Sequence, residues 1–188
     1  MNFTTDWAGA LRESIPVLYP TPPAGPMTCL EIGSFEGMGS LILANSLCSH
    51  PDSRLYCVDP WDDVYSVKDG RHGQFDAECK GQYSRFTANT KDRPEIIPIR
   101  GYSGDIVPGL DFQFDFAYID GEHSPEQVYK DATYVLPKMK RGGIILFDDF
   151  LYEQNGLKTG NGIRNFIFDH QDKVEVILQT YQLALKIL

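Results

Sequence analysis

This sequence of 188 residues has no apolar run approaching the roughly 20 residues that a membrane-spanning helix requires. Basic residues are few, 17 lysines and arginines against 26 aspartates and glutamates, for a formal net charge of −9. That balance argues against a nucleic-acid backbone or an anionic membrane surface as partner, because both demand clustered cations. Its plainer consequence is solubility. Cys29, Cys48, Cys57 and Cys79 form no C-x-x-C pair, and two of them sit inside apolar runs. Buried thiols in a reducing, cytoplasmic setting are therefore expected. The opening stretch, "MNFTTDWAGALRES", carries acids early and has no basic segment leading into an apolar core, so it does not read as a secretory signal. Internal repeats and low-complexity tracts are also missing.

What remains is the composition of one globular domain over 1–188, 42% hydrophobic. A short helix at about 4–17 precedes a proline-rich connector, "YPTPPAGP", which stiffens the chain up to residue 26. Beyond it, short apolar runs alternate with helical segments. The expected strands are "TCLEIG", "RLYCVD", "IIPIR", "FDFAYID" and "GGIILFDDF". Helical stretches, including "EGMGSLILANSLCSH", "GQFDAECKGQYSRFTANT" and "SPEQVYKDATYVLPKMK", fall between them. This alternation predicts an α/β fold with a doubly wound, mostly parallel sheet, its strands apolar because both faces are covered. Ser124, Pro125 and Gln127 predict a capped helix start with a capping box, and "RGG" at 141–143 a helix stop. After a last helix in "NGIRNFIFDHQD", the tail "KVEVILQTYQLALKIL" alternates in polarity. It predicts a C-terminal antiparallel hairpin turning near 179–182.

In an open parallel sheet, ligands bind beyond the carboxyl ends of the strands. The stretch "CLEIGSFEGMGS" at the first such end lacks the G-x-G-x-x-G of a dinucleotide loop and has Gly33, Gly37 and Gly39, with Glu31 and Glu36. A carboxylate inside the loop disfavours a pyrophosphate and suits a positively charged ligand. The pattern resembles the first motif of class I S-adenosylmethionine-dependent methyltransferases, E-x-G-x-x-x-G-x-G, at every fixed position. The resemblance implies a seven-stranded, Rossmann-like methyltransferase fold. It also implies that Glu31, Gly33, Ser34 and Gly37, with Asp120, form the pocket for S-adenosyl-L-methionine. Asp59 would hold the ribose hydroxyls, Pro60 or Trp61 would pack on adenine, and Ser103 in "RGYSGD" would lie at the adenine edge.

Two further strand ends are acidic: "FAYIDGEH" provides Asp120, Glu122 and His123, and "ILFDDF" provides Asp148 and Asp149. Neighbouring strands lie about 5 Å apart, so these carboxylates would crowd and raise one another's pKa. A divalent cation resolves that conflict, and hard oxygen ligands suit Mg²⁺, with Mn²⁺ or Ca²⁺ as alternatives. The two segments resemble the metal-dependent O-methyltransferases, both the catechol and caffeoyl-CoA type and, more closely, the sugar O-methyltransferases of macrolide pathways. The resemblance makes Asp120, Asp148 and Asp149 the metal ligands and His123 the general base. The catechol enzymes carry Asp-Asn at the fifth strand and a lysine near the fourth, and this chain has neither. The implied reaction is methyl transfer to a hydroxyl of a small molecule, a sugar or a vicinal diol or phenol. The ion would lower the hydroxyl's pKa and His123 would accept the proton.

Loops 61–73 and 151–162 overhang the same edge. They offer Tyr65, Arg71, His72 and Tyr152 to a substrate, and Gly156, Gly160 and Gly162 would let the second loop act as a lid. The short N-terminal part implies an open site, or one completed by a second subunit of a homo-oligomer. The competing readings are a metal-independent methyltransferase, a donor-binding module without turnover, and a nicotinamide dehydrogenase.

Overall fold

The computed structural model describes residues 1, 3–61, 81–154 and 156–188. Tyr65, Arg71, His72, Cys79 and the first part of the expected third helix lie outside the described residues. The strands are β1 (Thr28–Ile32), β2 (Arg54–Asp59), β3 (Ile96–Arg100), β4 (Phe114–Ile119), β5 (Met139–Phe147), the short pair β6 (Glu153–Gln154) and β7 (Leu157–Lys158), β8 (Val174–Gln179) and β9 (Leu183–Ile187). The helices are α1 (Gly9–Leu18), α2 (Met38–Leu47), α3 (Gln82–Thr90), α4 (Ser103–Ile106), α5 (Pro125–Val135) and α6 (Thr159–Asp169).

Seven strands form one sheet in the order β3-β2-β1-β4-β5-β9-β8. β1 to β5 pair in parallel, and only β9, inserted between β5 and β8, runs against its neighbours. This is the doubly wound sheet with a C-terminal antiparallel hairpin that the alternation predicts. The winding reverses between β1 and β4. Ile32 pairs with both Val58 and Ile119, Asp59 with Arg100, and Ile119 with Phe147. Gly33, Asp59, Gly101, Asp120 and Asp148 are thereby brought to one rim.

Both faces of the sheet are covered, which is why its strands read as apolar runs. On one face Leu30, Ile32, Ile119 and Phe147 pack with Val128 of α5 and Phe166 of α6. On the other, Cys29, Cys57 and Phe116 pack with Leu11 of α1, Leu43 and Leu47 of α2 and Phe86 of α3. Each wholly buried leucine here contributes roughly 1.5–3 kcal/mol. Among the described residues, no helix is long and apolar enough to cross a membrane.

Four local expectations are corrected. The first helix begins at Gly9 rather than near residue 4, because Glu36 takes both the backbone N–H of Thr4 (2.7 Å) and its hydroxyl (2.8 Å). "RGG" does not end a helix. α5 has already closed at Val135, and Gly142, at φ +79°, kinks β5 where the register jumps from Phe114↔Met139 to Phe116↔Ile144. Ser124 does cap α5 through the Gln127 N–H (3.3 Å), but the Gln127 side chain runs forward to Asp131 (2.9 Å), so the box is half made. Finally, Gly160 and Gly162 are not hinges of a lid. They lie inside α6, where a Cβ would meet Phe150 O at 2.3 Å and Pro125 O at 2.0 Å. Their smallness lets α6 seat against the loop after β5 and the start of α5.

Candidate active site at the strand ends

The glycine loop is fixed mainly by backbone. Gly33 has φ +86°, and a Cβ there would lie 2.1 Å from the carbonyl oxygen of Asp120, so the ends of β1 and β4 approach as only glycine allows. Its N–H donates to Val58 O, and the Asp120 N–H to Ile32 O. Gly37, also at φ +86°, opens α2, and a Cβ would press on Thr90 and Phe86 at 3.0–3.1 Å.

Asp59 is turned into this loop. Its Oδ2 accepts the N–H groups of Ser34 and Phe35 (2.9 Å each), and its Oδ1 accepts that of Trp61 (2.7 Å). Beside Asp59, Pro60 is partly exposed, and Arg100 donates to its carbonyl (3.0 Å). Trp61 is 1% exposed: its ring packs on Tyr83 and Phe86 and its Nε1–H donates to Phe35 O (2.7 Å). Trp61 thus backs the loop from the core side. Glu36, read as an uncompensated charge in the loop, is instead paired with Arg85 and held by Thr4. Glu36 therefore leaves no bare charge in the loop for a positive ligand.

Glu31, at the end of β1, is the second acid of this stretch. This carboxyl is buried beneath α2 and accepts a hydrogen bond from the Ser40 hydroxyl. Desolvation raises its pKa to about 7, against the easing effect of Ser40 and nearby Ser34. Ser34 Oγ is buried and makes no hydrogen bond of proper geometry. A buried acid short of positive charge, an unsatisfied hydroxyl and a loop that admits no Cβ fit the ammonium-bearing end of S-adenosylmethionine. Further along the rim, Gly101 N–H donates to Asp59 O, and the Ser103 hydroxyl donates to Asp131 (2.5 Å).

At the other half of the rim, Asp120, His123 and Asp149 offer ligand atoms within 4.8 Å of one another. His123 Nε2 lies 3.2 Å from Asp149 Oδ2 and 3.7 Å from Asp120 Oδ1, and its ring meets Tyr152 edge-on. Asp149 sits at φ +56°, a left-handed conformation uncommon outside glycine, which aims its carboxylate back at His123. Asp148 points elsewhere: Tyr118 donates to its Oδ2 (2.7 Å), while Gln182 (2.9 Å) and the Asp149 N–H (2.9 Å) donate to Oδ1.

Tyr118 also lies 3.2 Å from Asp120. A phenol has one proton, so it cannot satisfy both acids. Solvent reaches part of the Asp120 side chain, yet burial of its carboxyl and the charge of Asp148 push its pKa well up. Asp148 is raised too, by burial and by Asp149. Among the described residues, His123 is the only basic side chain paired with these acids, and it meets Asp149 and Asp120 but not Asp148. That shortage of positive charge fits a divalent cation.

Tyr118, Tyr181 and Gln182 carry no sequence motif. Tyr181 donates to Asp149 Oδ1 (2.5 Å) and, like Gln182, comes from the β8–β9 turn. The only sequence signal was a hydroxyl in an apolar strand two residues before Asp120, and a hairpin returning beside β5.

Three solved structures share the fold. The O-methyltransferase of Bacillus cereus in complex with SAH is 16% identical, with a TM-score of 0.71, 98% of this chain and 84% of that one being covered. The O-methyltransferase TomG of Streptomyces achromogenes, involved in tomaymycin synthesis and bound to SAM, is 20% identical, with a TM-score of 0.60 and coverage of 100% and 92%. A provisionally assigned rRNA methylase of Clostridium thermocellum is 13% identical, with a TM-score of 0.70 and coverage of 98% and 100%. At these identities the likeness concerns the fold alone. No curated protein matches by sequence. The family described as "Methyltransferase domain" matches residues 30–150, more than half of the chain and the span from β1 through the acid pair. The chain belongs to that family and is an S-adenosylmethionine-dependent methyltransferase.

Proposed function

We propose that this methyltransferase transfers its methyl group to a hydroxyl of a small molecule, with a divalent metal ion held at the ends of β4 and β5. The observation that carries the reading is the meeting of Asp120, His123 and Asp149 within 4.8 Å, directly across the Gly33–Asp120 contact from the glycine loop. S-adenosylmethionine supplies an electrophilic methyl. Glu31, Gly33, Ser34 and Gly37 hold its amino-acid end. Asp59, Pro60, Trp61 and Ser103 form the adenosine side, with Asp59 and Trp61 acting through the loop they brace.

A Mg²⁺ ion, or Mn²⁺ or Ca²⁺ in its place, supplies a Lewis acid that lowers the pKa of a bound hydroxyl. Asp120 and Asp149 would be its ligands, while Asp148, expected from the sequence to join them, is turned toward Tyr118 and Gln182 and stands behind them. His123 accepts the hydroxyl proton, and Tyr152 holds its ring. Two neighbouring oxygens suit such an ion, so the acceptor is a sugar or another vicinal diol or phenol. Asp149, where catechol enzymes have asparagine, favours the sugar branch. The charge of −9 supports a small acceptor over nucleic acid, and the buried thiols Cys29, Cys48 and Cys57 suit a reducing cytoplasm.

Methyl transfer from labelled S-adenosylmethionine to a panel of sugars, catechols and aliphatic diols tests this. Activity should vanish in EDTA and return with Mg²⁺ or Mn²⁺. Full activity in EDTA would select a second reading, in which His123 and its acids work without metal. The hydrogen bonds already holding Asp148 to Tyr118 and Gln182 favour that alternative.

A further inference from the structure

Asp131, on α5, has no part in the chemistry above, yet it is 1% exposed and its Oδ1 accepts hydrogen bonds from the Ser103 hydroxyl (2.5 Å) and the Gln127 amide (2.9 Å). Its Oδ2 lies under Gly121, immediately after Asp120, where a Cβ would come within 3.6 Å. Asp131 therefore holds Ser103, at the start of α4, close to the turn that follows β4. We propose that Asp131 is a specificity-determining positioning residue that locks the Ser103 hydroxyl as a hydrogen-bond acceptor toward the donor's purine. The inference rests on Ser103 lying at the adenine edge.

The argument is one of proton counting. An ionised carboxylate accepts only, so the single proton of Ser103 is committed to Asp131. Only the lone pairs of Ser103 Oγ remain for a ligand. They match the exocyclic amino group of adenine, a donor, and oppose the 6-oxo group of hypoxanthine, an acceptor. A buried polar group left facing its like is disfavoured by roughly 1–3 kcal/mol, which corresponds to about 5- to 150-fold in affinity. Gln127 adds a second donor to the same Asp131 Oδ1 and so helps to fix the carboxylate. The other charged groups acting on Asp131 are Glu122, just before α5, and Lys130, on α5 itself, which oppose each other. Burial dominates and raises the pKa of Asp131 to about 6.

Calorimetric titration of the intact protein with S-adenosylhomocysteine and S-inosylhomocysteine tests the proposal. The wild type at pH 8 should prefer the adenosyl ligand by at least about 5-fold. Asp131→Asn, whose amide can donate to Ser103 and release the hydroxyl proton, should cut that preference severalfold while both ligands still bind. Ser103→Ala should do the same, and Asp131→Asn should add nothing further in its presence. At pH 5 the wild type itself should lose part of its preference, because a protonated Asp131 can donate to Ser103. This arm needs no variant to fold. An unchanged preference in Ser103→Ala would remove the adenine-edge reading. A relaxed preference in Ser103→Ala, with none in Asp131→Asn or at pH 5, would overturn the role of Asp131 alone.

Discussion

The two halves of the rim handle acids in opposite ways. At the ends of β1 and β2 each carboxylate has partners: Asp59 takes three backbone N–H groups, Glu36 has Arg85 and Thr4, and Glu31 has Ser40. At the ends of β4 and β5, three carboxylates share one imidazole and a few neutral donors, and the pKa values of Asp120 and Asp148 are driven up. Folding alone assembles the first half. The second is assembled by folding with its negative charge left largely uncompensated, which is the arrangement expected where charge must be handled during a reaction, and the proposed cation would balance it.

Removing one acid from the unbalanced half should have the largest effect. Asp149→Ala is expected to lower methyl transfer by about 1000-fold and to abolish tight Mn²⁺ binding, read by electron paramagnetic resonance. Affinity for S-adenosylhomocysteine should stay within about 3-fold, because no member of the balanced half is touched. Melting curves separate out the strain of alanine at a position with φ +56°, roughly 1–2 kcal/mol. Normal turnover would mean the acids of this half are structural. Gly33→Ala attacks the seam between the halves. The added Cβ has no room before Asp120 O, so loop and strand end must part, and donor affinity should fall by about 100-fold. If calorimetry found it unchanged, the donor would not lie over this turn.

The contrast was only partly legible in the sequence. Parallel strands covered on both faces are unbroken apolar runs, and glycines and acids at their ends stand out against them, so the sheet, its hairpin and the rim positions could be read directly. The direction each carboxylate takes could not. Glu36 looked like a bare charge because its partner, Arg85, lies 49 residues away on α3. Asp148 looked equivalent to Asp149, yet β9 pairs beside β5 and delivers Gln182 to one and Tyr181 to the other. Gly160 and Gly162 looked like flexibility and are close packing. Local pattern places a residue on an edge; the pairing of distant strands and helices decides what it faces.

Even the balanced half keeps one tension, and pH exposes it. Glu31 has a pKa of about 7 in the fold against a reference of 4.5, so the folded protein binds the extra proton between those values. Its favourable contribution is complete below about pH 4.5 and is lost as pH rises through 7. Glu31→Gln keeps an acceptor for Ser40 without the charge. It should raise stability of the donor-free protein at pH 8 by on the order of 2 kcal/mol and leave it nearly unaltered at pH 4.5. Thermal melts at the two pH values decide. An equal shift at both would trace the effect to packing instead of ionisation.

The smallest expected effect falls on Gln182, which has little exposure and no charge. Its amide N–H donates to Asp148 Oδ1, while its Oε1 is buried without a partner. An orphaned carbonyl costs about 1–3 kcal/mol, so this side chain is retained at some expense to stability. Gln182→Leu removes the orphan together with the bond to Asp148. The protein should therefore melt at the same temperature or slightly higher, whereas Mn²⁺ affinity should fall by about 10-fold, the loss expected when the acid standing behind the proposed ion site loses a partner. Gln182→Glu would place another carboxylate beside Asp148 and should weaken the protein and the ion site together. Were Gln182→Leu to lose stability while Mn²⁺ affinity held, Gln182 would belong to the core of the β5–β9 pair, and the positioning of Asp148 would rest on Tyr118 and the Asp149 N–H.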